Sequence, residues 1–240
     1  MTAILLQSAY ILHYRPYRDT SLLIDFFTRE HGILSAVARG VRTAKSPLKG
    51  LLQPFIPLLI SFSWKKELAT LTQVESNEIS YSLVGKRLFS AFYLNELTMK
   101  LLQRHDPHPQ LYDYYQQALA ELTTEKKLEI PLRRFEKNLL SELGYGLDLI
   151  SDADAGQRIL PNLFYHFLPQ KGFCLDLNGN LSKAFCFSGK SLLALAHGDF
   201  NDQTLLPEMK QLLRVVIADL LGRKTLKSRD LFLREHYEST

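Results

Sequence analysis

The stretch SLLIDFFTREHGILSAVA, residues 21–38, decides the fold. Ser21–Thr28 is a compact apolar run, and Gly32–Ala38 is a second one. Only the turn-like Arg29-Glu30-His31-Gly32 separates them, so the pair predicts two adjacent strands. Ile4–Leu12 upstream is apolar with β-branched and aromatic character. Downstream, Phe55–Phe62 carries an internal proline, which marks an edge or bulged strand, and Leu68–Val74 alternates with period two. Five short strands with turn signals between them predict a small all-β barrel or sandwich over residues 1–80. Ser46–Leu52 between the third and fourth strands suits a short helix, with Ser46 as N-cap and Pro47 in its first turn.

After residue 80 the period changes. Leu83–Leu102, Leu111–Leu122, Pro131–Leu143 and Leu205–Leu221 have apolar residues at helical spacing. Gly144 and Gly222 stop the third and fourth of these helices. Ser228 caps a short last one, Ser228–Glu235. Between Leu149 and Lys190 the pattern fits neither class. There Phe173–Leu177, Asn178-Gly179 and Leu181–Phe187 predict a β-hairpin on a type I′ turn. The expected class is α+β: a five-stranded barrel over 1–80, then a helical domain over 81–240 with a hairpin inserted near 160–188.

The chain has 240 residues, 46 % hydrophobic and 22 % charged, which excludes a mainly disordered protein. It has no run of membrane-span length. MTAILLQSAYIL lacks a basic n-region, so no export signal is expected, and two cysteines are too few for a disulfide framework. A reducing, cytoplasmic setting follows. The net charge of +4 is mild, and its distribution is more informative. Arg39, Arg42, Lys45 and Lys49 lie within eleven residues that contain no acid, and Arg223, Lys224, Lys227 and Arg229 form a second cluster. Such runs create local positive potential, for which phosphate backbones are the usual partner. The plain alternative is a solvated loop. Arg15 and Arg18 extend the first cluster. Tyr10, Tyr14, Tyr17, Phe26, Phe27 and Trp64 are the aromatics available for base stacking. The phenylalanines are expected in the core, Tyr14 and Tyr17 in a polar turn, and Trp64 at a hairpin tip.

Catalytic and metal motifs fail on spacing. Phe187-Ser188-Gly189-Lys190-Ser191 ends like a phosphate-binding loop, but Ala184 stands where the first glycine belongs. The reading preferred for it is a strand end, with Ser188 or Ser191 capping the next helix. Cys174 and Cys186, with His166 as the nearest third ligand, lack a fourth. Asp152-Ala153-Asp154-Ala155-Gly156 opens like a calcium loop, but Gly156 and Leu163 stand where ligands are required. His105 and His108 lie among prolines. Paired carboxylates such as Glu75 and Glu78 could meet only in space. No enzyme activity, cofactor or metal is expected. In the third helix Leu132, Phe135, Leu139 and Leu143 share a face flanked by Arg133 and Leu140. A groove with an apolar floor and basic rim would suit an acidic-apolar peptide. An ordinary core helix is the alternative.

Three blocks carry a family resemblance. Tyr10–Phe55, with RPYRDTS, FTREHG, ARGVR and SPLKGLLQPF, resembles the opening of the RecO family of bacterial recombination mediators. LRRFEKNLLSELGYGL, residues 132–147, is similar to that family's central helix, and GRKTLKSRDL, residues 222–231, to its C-terminal signature. Residues 150–205 match poorly. The resemblance implies an oligonucleotide-binding (OB) barrel followed by a helical domain. It implies a non-catalytic, cytoplasmic, nucleoid-associated mediator that binds single- and double-stranded DNA and anneals complementary strands. It also implies association with single-strand binding protein and RecR, and help in loading RecA. Carried onto this chain, Arg15, Arg39, Arg42, Lys45 and Lys49 become expected DNA contacts, with Lys224, Lys227 and Arg229 secondary. Arg133, Arg134 and Leu140 become the expected grip on the C-terminal tail of single-strand binding protein. Some family members hold zinc with four cysteines. This chain lacks that set. An adaptor that mainly grips proteins through its helical part is the rival expectation.

Overall fold

The computed structural model describes residues 2–65, 68–76, 81–169, 171–176 and 185–231. Five strands, β1 (Thr2–Tyr17), β2 (Ser21–Thr28), β3 (Gly32–Ala38), β4 (Leu58–Lys65) and β5 (Leu68–Ser76), close into a barrel of order β1-β2-β3-β5-β4. β1 is long enough to serve two neighbours. Thr2–Ala9 pairs with β4 and Ala9–Tyr17 with β2. Bulges between Ile4 and Gln7 and between Ile11 and His13 bend it around the barrel. The parallel pairing of β3 with β5, at Ala36↔Ala69, completes closure. Closure leaves no exposed sheet edge among these strands.

The barrel interior is filled by Ile11, Ile24, Phe26, Leu34, Ile60 and Phe62, among others. SLLIDFFT does not alternate because both of its faces are covered. Phe26 points into the barrel, while Phe27 packs outside it against Tyr112 and Tyr115. A strand buried on both faces reads as a continuous apolar run.

The outer cover comes from α1 (Lys86–Leu101) and α2 (Pro109–Thr124). Asn95 of α1 donates through Nδ2 to the carbonyls of Ile11 and Leu12, at the β1 bulge, and accepts from the Tyr115 hydroxyl. Burial, then Tyr112 and Tyr81, push the Tyr115 phenol well up, so it remains a neutral donor. Beside β3, Arg104 bridges to Ile33, and the His105 amide donates to the Ile33 carbonyl. That segment requires Gly32. Its φ is +62°, and a Cβ there would lie 2.1 Å from the Asp106 carbonyl oxygen.

The chain divides into two compact units, one formed by the described parts of residues 1–124 and 226–240, the other by those of 125–225. The second contains α3 (Glu129–Glu142), β6 (Phe164–Leu168), β7 (Gly172–Leu175), β8 (Cys186–Ser188), α4 (Gly189–His197) and α5 (Leu206–Leu221). The inserted β element differs from the expected hairpin. β7 and β8 do not pair with each other; both flank β6, in the order β7-β6-β8. Asn178-Gly179 and its proposed turn lie outside the described residues, as do residues 232–235 of the expected last helix. Two other expectations shift. Tyr14–Tyr17 extend β1 instead of forming a turn, with Pro16 opposite Leu22. Trp64 lies within β4, half-buried between Phe62 and His105. Among the described residues, no helix is long and apolar enough to cross a membrane.

Candidate nucleic-acid interface and peptide cleft

The β3–β4 connection, residues 39–57, carries the first basic cluster. Its apolar residues hold it down: Val41, Leu52 and Phe55 are buried, and Leu48 and Leu51 pack against the barrel core. The predicted short helix is a 3₁₀ turn at Pro47–Lys49 following Ser46. Arg39, Arg42, Lys45 and Lys49 all point into solvent. The connection is tied to the β1–β2 turn, since the Arg42 amide donates to the Thr20 carbonyl at 2.9 Å and its guanidinium to the Arg18 carbonyl at 3.1 Å. That tie brings Arg42 to Arg18 in the turn after β1, and the exposed Arg15 lies three residues earlier on β1. Among the described residues, no carboxylate pairs with Arg15, Arg39, Arg42, Lys45 or Lys49. Their field is therefore uncompensated at short range and directed into solvent.

The aromatics divide as burial dictates. Tyr10, Phe26 and Phe27 are fully buried and belong to packing. Tyr14 is 45 % exposed, Tyr17 is half-buried under the Arg18 guanidinium at 5.3 Å, and Trp64 is half-buried. These three remain accessible for stacking.

In the second cluster Arg223, Lys224 and Lys227 are exposed and Arg229 is half-buried. Glu96 of α1 sets the position of Lys227 and Arg229. Its carboxylate accepts from the amides of Lys227 and Ser228 and from the Ser228 hydroxyl, at 2.7–2.9 Å, and pairs with Lys100. A helical turn opens at Ser228, so Glu96 also places an anion at its N-terminus. Burial opposes the Glu96 charge, but the hydrogen bonds from Ser228, Lys227 and Lys100 outweigh it and hold the carboxyl below its ordinary value. The anchorage is complete above the ordinary carboxylate range and is lost as pH falls through the lowered folded value. Amide hydrogen exchange at residues 226–231 should accelerate over that acid interval, and at neutral pH in Glu96→Gln.

In the second unit a cleft of about 70 Å³ is lined by Lys137, Leu140, Ser141, Gly146, Leu147, Leu149, Leu195 and Leu213. Its walls are mostly leucine, with one cation at the edge. The Lys137 ammonium donates to the Ala196 carbonyl at 2.6 Å, and burial pulls it below the ordinary lysine range. Leu140 lines this cleft, whereas Leu132, Phe135, Leu139 and Leu143, the expected floor, do not. Arg134 lies over the Phe200 ring at 5.5 Å. Arg133 is not at a rim. Its side chain is 3 % exposed and pairs with Glu136, which is fully buried. The i, i+3 spacing puts both inside the helix's packed face.

The remaining motifs resolve into structure. Ser188 caps α4, accepting from the Ser191 amide, and the Glu208 carboxylate accepts from the Ser188 amide, the Ser188 hydroxyl and the Ser191 hydroxyl. A protein carboxylate already occupies the place a phosphate would take. Gly189 is required by packing, since a Cβ would lie 2.0 Å from the Leu160 carbonyl oxygen. Asp152 accepts from the amides of Asp154, Ala155 and Gln157, closing a tight loop with the oxygens a calcium ion would need. Glu75 is exposed and accepts from Gln73, and Glu78 lies outside the described residues.

Residues 1–79 match the family model for the N-terminal part of recombination protein O, and residues 84–230 match the model for its C-terminal part. The chain belongs to the RecO family. The DNA repair protein RecO of Pseudoalteromonas atlantica is 44 % identical over 97 % of this chain and 95 % of its own length. Those of Coxiella burnetii and Aliivibrio salmonicida are 45 % and 40 % identical, over 94 % and 95 % of the chain and 97 % and 95 % of their own lengths. In this RecO-family chain the cleft residues Lys137, Leu149, Leu195 and Leu213 escape sequence reasoning. Lys137 reads as an ordinary solvated lysine on α3. The leucines come from segments whose approach no local period encodes.

Proposed function

We propose that the chain is a non-catalytic recombination mediator that binds single- and double-stranded DNA through the barrel's β3–β4 connection. The observation that carries this reading is the pinned, acid-free cation set Arg39, Arg42, Lys45 and Lys49, joined by Arg15, in a chain of a DNA-repair family. Lys224, Lys227 and Arg229 serve as secondary contacts. Two complementary strands held on one basic surface repel each other less and reach a higher local concentration, so annealing proceeds without a nucleotide cofactor. RecR and RecA are the proposed functional partners, with RecA loaded onto DNA coated by single-strand binding protein. The α3 cleft is proposed to take that protein's acidic-apolar tail. Leu140 supplies its floor, with Lys137 and Arg134 as cations, and Arg133 stiffens the helix from within.

The test is fluorescence anisotropy of a labelled single-stranded oligonucleotide across a salt series. Replacing Arg39, Arg42, Lys45 and Lys49 by alanine should reduce the log–log salt slope by about 3, at ~0.7 per phosphate. An unchanged slope in the folded variant would remove the connection from the DNA site. The cleft supports the rival adaptor reading too. Tight binding of a tail peptide, lost in Leu140→Asp, together with weak DNA binding by the wild type would favour that rival.

A further inference from the structure

We propose that His166, Asp176 and Cys186 form a site for one zinc-class divalent transition metal, which staples the three-stranded sheet of the second unit. The sheet register brings the groups together. His166 on β6 stands opposite Cys186 on β8, and Asp176 directly follows β7 on the other side of β6. One ligand atom from each lies within 4.8 Å of the other two. His166 Nε2 is 3.1 Å from Asp176 Oδ2, and Cys186 Sγ is 3.9 Å from the same oxygen. These separations approximate the edges of a coordination tetrahedron with metal–ligand bonds of about 2.0–2.3 Å.

A second observation points to a ligand. The His166 side chain is 4 % exposed, yet its Nε2 makes no hydrogen bond among the described residues. Its approach to Asp176 is close but not directed as a hydrogen bond. A buried imidazole nitrogen that faces a carboxylate without a directed hydrogen bond is poorly satisfied unless something else takes its lone pair. The donor set of one nitrogen, one carboxylate oxygen and one sulfur selects the zinc end of the divalent series over magnesium or calcium. Charge also balances. A thiolate and a carboxylate together neutralise a dication, with a water as fourth ligand. Without the ion the Cys186 thiol is held protonated by burial and by the neighbouring Asp176 and Glu208. Binding therefore releases the thiol proton to solvent as the sulfur–metal bond forms.

The need for a staple follows from size. The strands have five, four and three residues, and so small a sheet has little stability of its own. The even spacing of the three ligands along the chain matches no sequence motif, and the cysteine pair misleads. Cys174, opposite His166 on β7, interacts with Asp154 and Lys171 instead. The site is independent of the DNA-binding reading.

The test uses the full chain, stripped with a chelator and titrated with Co²⁺. One equivalent should bind, with a thiolate-to-cobalt charge-transfer band in the near ultraviolet and ligand-field bands of four-coordinate cobalt. Zn²⁺ should displace it, and excess Mg²⁺ should not. Cys186→Ser should abolish the charge-transfer band, His166→Gln should weaken binding at least about tenfold, and Cys174→Ser should leave both unchanged. In the wild type, Zn²⁺ should also slow alkylation of Cys186, but not of Cys174, as mapped by mass spectrometry. That measurement needs no variant to fold. Lack of stoichiometric binding at micromolar Co²⁺, a band that survives Cys186→Ser, or Zn²⁺ protection absent from Cys186 would each overturn the proposal.

Discussion

Glu136→Ala should lower the unfolding free energy of the second unit by about 3–5 kcal/mol, the usual cost of breaking a buried ion pair from one side. Glu136 is fully buried and Arg133 is 3 % exposed, and they meet within one turn of α3. The Arg133 Nε and Nη1 make no hydrogen bond among the described residues; Glu136 is the guanidinium's directly bonded partner, and Glu129 is a second carboxylate within range of its charge. Removing Glu136 strips a buried cation of its directly bonded partner. The paired substitution Arg133→Met/Glu136→Leu removes both charges and should be neutral, or up to about 4 kcal/mol stabilising. Urea denaturation, with hydrogen exchange along α3 as a local readout, separates these outcomes. A loss below about 1 kcal/mol in Glu136→Ala would mean that solvent or Glu129 compensates Arg133 in its place. The substitution should also weaken binding of an acidic-apolar tail peptide, because Lys137 and Leu140 lie on the same helix. The double substitution should restore that binding, since neither charge touches the cleft.

Asn95→Leu should cost about 3 kcal/mol in the first unit. The side chain is 3 % exposed; leucine keeps the branching at Cγ but is bulkier, so overpacking adds to the loss of hydrogen bonds. The Tyr115 hydroxyl loses its acceptor, and the carbonyls of Ile11 and Leu12 lose their donor. Each buried polar group left without a partner costs about 1–3 kcal/mol. Tyr115→Phe should cost only about 1 kcal/mol, because it removes one bond and strands one acceptor. The double variant should cost less than the sum of the two, since both act on one network. Additive losses in that cycle would show that Tyr115 and Asn95 act independently. The position of the network gives it a wider role. It satisfies the carbonyls at the Ile11/His13 bulge of the β1–β2 ladder, so the bend of β1 there and the docking of α1 depend on the same amide.

The barrel strands and the long helices are legible in the sequence. Residues 21–38 show two apolar runs around a turn, and α1, α2, α3 and α5 follow helical periods. The starts and ends shifted where local chemistry was overruled. Pro57 precedes β4 instead of interrupting it, and RPY continues β1 because Arg15, Pro16 and Tyr17 find partners in Leu23, Leu22 and Ser21. β6 went unread because five residues, FYHFL, carry too few periods to distinguish a strand from a loop. The cation set of residues 39–49 was also legible, because charge in a short acid-free run needs no long-range contact to be recognised.

The sequence by itself determined the presence of the five barrel strands, the long helices, and where positive charge is concentrated, because periodicity and charge runs are local properties. Tertiary structure alone decided that β7 and β8 flank β6, that Arg133 faces inward to Glu136, and that four segments meet around Leu140. It also decided that His166 meets Asp176 and Cys186 rather than Cys174. Strand order and interior side-chain pairing depend on which distant surfaces bury one another, and that choice minimises exposed apolar area and unpaired polar groups over the whole unit, beyond the reach of any local window.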